Sequence, residues 1–294
     1  MPVLNYTVLP EDEGMTVREL LTARLGVSSS LRKALVRREG ALLLNCKATY
    51  LSTTVRSGDV LTVDISDPDG PSPIVPVDFP LSVLWEDEHL LAIDKPAGVT
   101  VHGAALTEEA VTIAGAAAHY LGTTAVHVVN RLDRGTSGVM LIAKSGYMHA
   151  RCMELLHTAD LRREYRAVCE GVPSPACGVI DAPIGRDTTS LLRRCVTPEG
   201  QPAVTEYEVL KVCGERALLR LLPRTGRTHQ LRVHMAHVGH PLTGDWLYGT
   251  EDKALIARPA LHSYCLCFTH PLTGEAVEVT APLPEDMMRL MEEM

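Results

Sequence analysis

Apolar residues recur along the chain with two different periods, and the changes of period mark its elements. Val17, Leu20, Leu21 and Leu25 fall at the spacing of one helix face. Thr16 stands before them with Glu19 just inside, a capping-box arrangement in which hydroxyl and carboxylate satisfy the first free amides. Ser28–Ser30 offers the start of a second helix, carrying Leu31, Leu35 and Val36 and ended by Gly40. Short apolar runs follow at Ala41–Leu44 and Val60–Ile65, the latter after Ser57-Gly58-Asp59, and predict strands. Farther on, Val83–Trp85, Leu90–Ile93, Val126–Val129, Val139–Ala143, Tyr165–Val168, Val204–Val209 and Ala217–Leu222 read as strands. Thr112–Leu121, stopped by Gly122, reads as a helix, as do Tyr147–Leu156 and Gln230–Val238. Leu266–Thr269 and Ala276–Val279, bridged by His270-Pro-Leu-Thr-Gly274, predict a hairpin. The similar His240-Pro-Leu-Thr-Gly244 does not by itself make a repeat protein. The order lacks the strand–helix rhythm of a doubly wound sheet, so the predicted class is α+β on a mixed or antiparallel sheet.

Composition adds a boundary. Ser66–Pro80 carries five prolines and predicts a semi-rigid, extended linker. The chain is thereby divided into a small domain over residues 1–66, a linker over 67–80 and a large domain over 81–294. Hydrophobic residues make up 46% and charged residues 22% of 294, which excludes a disordered chain. No stretch approaches the roughly 18 apolar residues of a membrane span. Met1–Glu11 has neither the basic nor the apolar region of a secretory signal. Eight scattered cysteines without a Cys-x-x-Cys pair predict reduced thiols in a cytoplasm. Aromatics at 4% argue against wide base-stacking platforms.

Charge changes the picture more. The 28 basic and 36 acidic residues give −8, a field that repels nucleic acid as a whole. The basic residues are segregated, however. Arg18, Arg24, Arg32, Lys33, Arg37, Arg38, Lys47 and Arg56 lie in Thr16–Ile65, and Lys211–Arg232 holds six basic residues against Glu215. Segregation of this kind suits a local polyanion site, and charge alone equally allows solvated faces of mixed sign.

Two clusters carry candidate chemistry. Asn130-Arg-Leu-Asp-Arg-Gly-Thr-Ser-Gly138 lies between two apolar strands, at the rim of a core. Asp133 between Arg131 and Arg134 is expected to have a depressed pKa and to be an ionised nucleophile or base. The alternative is a turn in which Asp133 caps the Gly135 and Thr136 amides. Arg224-Thr-Gly-Arg-Thr-His-Gln-Leu-Arg232-Val-His234 offers guanidinium forks suited to phosphate or carboxylate. Its histidines, with His237 and His240, raise a metal site as an alternative, without a partnering glutamate at ligand spacing. Cys265 and Cys267, with His262 and His270 nearby, read as a thiol pair on one strand face.

Arg131–Gly138 and Thr225–Asp245 resemble the two signatures of the RluA-like pseudouridine synthase family. Asp94-Lys-Pro-Ala-Gly98, Arg163-Glu-Tyr-Arg-Ala167 with Gly171, Leu247-Tyr-Gly249 and Leu261-His262 agree with it, in the expected order from Leu81 to about Pro284. Thr16–Ile65 is similar to the alpha-L RNA-binding domain often joined to these enzymes. The resemblance implies that Asp133 attacks the target uridine, that Tyr165 packs on the uracil and takes the proton from carbon 5, and that Arg232 pairs with the aspartate. It implies that Arg131 fills the space of a flipped base, and that Asn130, Thr136, Arg227, His229 and Gln230 line the substrate site. In the small domain it implies RNA contacts from Arg32, Lys33, Arg37 and Arg38. Asn130 stands where the family usually has histidine, and Arg163 where lysine is commoner. The reaction isomerises uridine to pseudouridine without redox change or group transfer, so no cofactor and no metal are implied. The implied partner is structured RNA, ribosomal ahead of transfer RNA, bound by a monomer without a membrane. Two other classes stay in view: a non-catalytic RNA-binding protein with a decayed domain, and a metal-dependent hydrolase using His229–His240.

Overall fold

The computed structural model describes residues 2–67, 74–103, 111–158 and 160–292. It begins with β1 (Val3–Thr7), α1 (Val17–Ala23), α2 (Ser29–Arg37), β2 (Leu42–Leu44), β3 (Lys47–Ala48) and β4 (Val60–Asp64). The strands form an antiparallel sheet in the order β1-β4-β2-β3. The capping box forms as its residues predict: Glu19 N donates to Thr16 Oγ1 at 3.3 Å and Thr16 N donates to Glu19 Oε2 at 2.7 Å. Val17, Leu20 and Leu21 then face the core. Ser28 caps α2, which ends at Arg37, ahead of Gly40. Val36 departs from its expected place and is exposed, because Leu31 and Leu35 alone cover the sheet. Sequence periodicity is too short to reveal β1 and β3.

The rest of the chain comprises β5 (Ser82–Glu86), β6 (Leu90–Lys95), α3 (Ile113–Leu121), β7 (His127–Val128), β8 (Ser137–Ala143), α4 (Gly146–Thr158), β9 (Arg162–Glu170), β10 (Cys177–Asp181), β11 (Ile184–Arg186), β12 (Arg194–Val196), β13 (Val204–Cys213), β14 (Arg216–Pro223), α5 (Gln230–His237), β15 (Leu261–Thr269), β16 (Ala276–Thr280) and α6 (Glu285–Arg289). A ten-stranded sheet runs β10-β13-β14-β9-β15-β8-β6-β5, with β16 beside β15 and β7 beside β8. β15 and β8 are parallel, and the neighbouring pairs are antiparallel, so the class is the expected α+β with a mixed sheet. The parallel pair meets tightly at Gly138, φ +107°, where a Cβ would lie 2.1 Å from the Ser263 carbonyl oxygen. A side chain there would push β15 away from β8, the strand into which the candidate loop runs.

His270–Gly274 turns the β15–β16 hairpin, with Gly274 N bonded to His270 O at 2.9 Å. The look-alike His240–Gly244 does not; its Leu242 bridges Cys169 on β9. In the large sheet and beside it, β10 and the β11–β12 hairpin are likewise not announced by the pattern.

The first sheet is docked rather than dangling. Leu4, Val63 and Ile65 share one buried cluster with Leu90, Leu141 and Met148. Tyr147 Oη donates to Leu25 O at 2.6 Å. Asp67 accepts from Gly146 N at 3.1 Å and bonds His127 Nε2 at 2.8 Å, placing a carboxylate at the positive end of α4. Residues 68–73 of the expected linker lie outside the described residues.

Candidate active site

The segment Asn130–Thr136 leaves β7 and re-enters the sheet as β8. Asn130 is expected at the substrate; it lines the cavity beside Asp133, and its amide is bonded to β8. Its Oδ1 accepts from Leu141 N at 2.6 Å and its Nδ2 donates to Val139 O at 3.3 Å. It is a support of the loop. Thr136 N closes the turn on the Asp133 carbonyl at 3.0 Å, so the Asp133 carboxylate is not the cap that the turn reading requires.

Beneath the turn lies Lys95, fully buried at the end of β6. Its Nζ donates to Pro96 O at 2.8 Å, Thr136 O at 2.9 Å and Arg134 O at 3.3 Å. Burial, aided by Arg258, pushes the amine down to about 8, against the pull of Asp133. One ammonium thus ties down two carbonyls of the loop that carries Asp133.

Arg232, on α5, is expected to pair with Asp133, and its guanidinium is shared between that carboxylate and a second one. Its fork closes on Asp245, with Nε–Oδ2 and Nη2–Oδ1 both at 2.7 Å. Only the remaining Nη1 faces Asp133 Oδ2, at 3.7 Å. Asp245 is fully buried and also accepts from Leu247 N at 3.0 Å and Tyr248 N at 3.3 Å. His229 caps α5 in a left-handed conformation, φ +58°. Its Nδ1 bonds Tyr248 Oη at 2.9 Å, and its Nε2 stands 3.9 Å from Asp133 Oδ2. Burial lowers the imidazole's affinity for a proton, with Asp133 opposing, so it is mainly neutral at pH 7. The groups facing the carboxylate therefore come from α5. Of the chain neighbours expected to do so, Arg131 is exposed and Arg134 Nε donates to Gly98 O at 2.9 Å.

Asp133 opens on a cavity of about 550 Å³. Arg131, Thr136, Arg163, Tyr165, Arg227 and His229 are among its walls. Burial pushes the Tyr165 hydroxyl up, against Arg163 and a bond to Ser263, so it holds its proton at neutral pH. Gln230, expected at the substrate, is among the cavity's lining residues and is also a buried staple. It accepts from Thr225 Oγ1 at 2.8 Å and Arg227 N at 2.9 Å, and donates to Val204 O and Thr205 Oγ1 at 3.0 Å each.

The histidines of the metal alternative go to separate places. His234 bonds Thr205 Oγ1 and Ala182 O, and His240 bonds Glu170 O. Cys265 and Cys267 do share a face, with sulfurs 3.5 Å apart. With Glu278 they are the one group among the described residues whose possible ligand atoms lie within 4.8 Å of one another. His262 bonds Ser137 and Ala281 instead. In the small sheet unit, Arg32 is spent on Thr22 Oγ1 and Val27 O, and Arg38 on Asp64 and Ser66. Lys33 and Arg37 are exposed, and Arg32 and Arg38 are half-buried and engaged in bonds within the unit.

Sequence reasoning gave no role to Lys95, Asp245 or Tyr248, although each lies in a stretch it quoted. No helix among the described residues is long and apolar enough to cross a membrane.

A family model described as RNA pseudouridylate synthase matches residues 89–237. An uncharacterized RNA pseudouridine synthase of Bacillus subtilis, YjbO, is 39% identical over 280 residues, covering 94% of this chain and 98% of that protein. Ribosomal large subunit pseudouridine synthase D of Vibrio cholerae is 37% identical over 269 residues, covering 86% of this chain and 82% of its own. The solved structure of human RNA pseudouridylate synthase domain containing 4 superposes with a TM-score of 0.59 at 27% identity, covering 72% of this chain and 92% of its own. The chain belongs to the RNA pseudouridine synthase family, in its RluA-like branch, and is an isomerase that makes pseudouridine in RNA.

Proposed function

We propose that the enzyme isomerises a uridine in structured ribosomal RNA, ahead of transfer RNA, with Asp133 as nucleophile. The observation that carries the reading is Asp133 itself: a carboxylate left out of its own turn, opening on the cavity and faced by Arg232 and His229. Asp133 attacks the ribose carbon as its bond to nitrogen 1 breaks, the base turns, and carbon 5 bonds to that carbon as the bond to Asp133 breaks and the carboxylate is released. Carbon 5 loses a proton and nitrogen 1 gains one, so the sum is an isomerisation. Tyr165 packs on the uracil and relays the proton leaving carbon 5. Support for ribosomal RNA comes from the relative named a ribosomal large subunit synthase and from the eight basic against four acidic residues of Thr16–Ile65, in a first unit that we read as an alpha-L domain over residues 1–66, ahead of the linker and the catalytic domain over 81–294. Asn130, the feature that favours a decayed domain, makes both of its amide bonds to β8.

Pseudouridine mapping in total RNA from cells with and without the gene tests the target. A site lost from ribosomal RNA is the expected result. A loss confined to transfer RNA moves the assignment there, and no loss at all overturns it.

Two further results are expected. A uridine must leave its stack before Asp133 reaches it, at a cost of a few kcal/mol. Arg131, exposed at the cavity mouth, fills the gap. Arg131→Ala therefore impairs turnover on a folded RNA much more than on an unstructured oligonucleotide, and equal losses would show a purely electrostatic role. In the small unit, Lys33→Ala with Arg37→Ala weakens RNA binding and flattens its salt dependence by roughly 0.7–0.9 log units for each phosphate no longer neutralised. This pair is a cleaner test than deleting residues 1–66, which would strip cover from Leu90 and Leu141. An unchanged slope would remove those two side chains from the RNA interface.

A further inference from the structure

The β11–β12 hairpin forms a two-stranded sheet of its own beside the large one, with one further bridge from Ile184 to Gln201. Its tip is a built turn. The Asp187 carboxylate accepts from Thr189 N at 2.9 Å and Thr189 Oγ1 at 2.6 Å. Ser190 Oγ accepts from Leu192 N at 3.3 Å and Arg193 N at 3.2 Å. The turn holds two leucines out in water, Leu191 at 100% and Leu192 at 62% exposure. Each leucine left outside forgoes about 1.5–3 kcal/mol of burial, so the arrangement serves no internal packing.

The leucines sit among cations. Arg186, Arg193 and Arg194 flank them, and the single acid, Asp187, is engaged by the turn and lies 3.8 Å from Arg193. The strand pair next to the tip, Arg186 opposite Arg194, adjoins the active site. Arg194 N donates to Tyr248 Oη at 2.9 Å, the same hydroxyl bonds His229 Nδ1 at 2.9 Å, and His229 Nε2 stands 3.9 Å from Asp133. The basic tip is thus continuous with the rim of the cavity, where Arg227 is anchored on Pro202 O at 3.0 Å.

We propose that this hairpin is a second RNA contact, in which the arginines take phosphates near the target uridine and Leu191 and Leu192 lie against bases unstacked when it flips out. The proposal rests on the reading that the enzyme acts on structured RNA. Apolar side chains inserted at opened base steps are a general means of holding a deformed nucleic acid. This chain has few aromatic side chains for the task, 4% in all. A polyanion is favoured over a protein partner because the overall charge is −8 while the tip is locally basic and adjoins the uridine cavity.

The test is the double variant Leu191→Ser/Leu192→Ser in the full chain, with thermal melts to show that the fold is intact. The probes are a stem–loop RNA with uridine in its loop and an oligouridylate of the same length. The variant is expected to bind the stem–loop about tenfold more weakly and the oligouridylate nearly as well as wild type. Arg193→Ala is expected to lower the salt slope for the stem–loop by about 0.7–0.9. Undiminished stem–loop affinity of the double variant overturns the proposal. Undiminished RNA affinity with loss of a wild-type self-association in sedimentation also overturns it, assigning the leucines to a protein contact. Tritium release from ribosomal RNA transcripts labelled at carbon 5 of uridine separates the two levels. Wild type that binds but releases none sinks the ribosomal substrate reading and leaves the hairpin result standing. Normal release by wild type, with tight binding by the variant, sinks the hairpin proposal alone.

Discussion

Asp133→Asn is expected to abolish isomerisation while RNA binding persists. Asparagine keeps the size of the side chain and removes the charge that a nucleophile needs. The turn itself should survive, because Thr136 N bonds the Asp133 backbone carbonyl and Lys95 holds the carbonyls of Arg134 and Thr136 from below. Stability should therefore change by no more than about 0.5 kcal/mol, the range of substitutions that break no buried bond. If Asp133 served only its turn, asparagine would serve as well, since it also caps turns. Single-turnover assays with matched thermal melts distinguish the two. Residual activity within about tenfold of wild type, a barrier change near 1.4 kcal/mol, would sink the nucleophile assignment.

The second large effect is expected at the buried pair behind it. Asp245→Asn leaves the Arg232 guanidinium buried without its anion, and breaking such a pair typically costs about 3–5 kcal/mol. Denaturant unfolding should show the loss as a lower midpoint at unchanged slope. Arg232→Lys probes the same geometry from the other side. One ammonium cannot keep two parallel bonds to Asp245 and also present a third donor edge to Asp133. Turnover should fall more than RNA affinity. A wild-type midpoint for Asp245→Asn, or equal falls in turnover and affinity for Arg232→Lys, would show that the fork does not position Asp133.

The residues that declare themselves in the sequence are those whose partners are close in the chain. Thr16 and Glu19 form their capping box within one helical turn. Thr112 and Gly122 bound α3, and Gly274 closes its hairpin for the same reason. These depend on backbone geometry over a few residues, which side-chain type fixes locally. The two charged clusters around Asp133 and Arg232 were legible too, because strings of polar groups between apolar strands need dedicated partners wherever they are buried.

Tertiary structure decided the pairings. Register across the sheet, not spacing along the chain, brings Lys95 opposite Gly138 and under the Asp133 turn. The fold after α5 returns Asp245 to Arg232, so the guanidinium that the sequence offers to Asp133 spends its fork elsewhere. Gln230 and Asn130 line the cavity as their motifs suggest, and the bonds that fix their amides come from groups that only the folded sheet places beside them. Arg38 is likewise fixed by Asp64 and Ser66. A buried polar group must find its partners wherever the fold supplies them, and that requirement is satisfied in space, where a single sequence shows only order. The sequence by itself therefore determined the class of fold, the local caps and turns, and the two segments that meet at the site. The packed sheet determined which of their side chains remain free to meet an RNA.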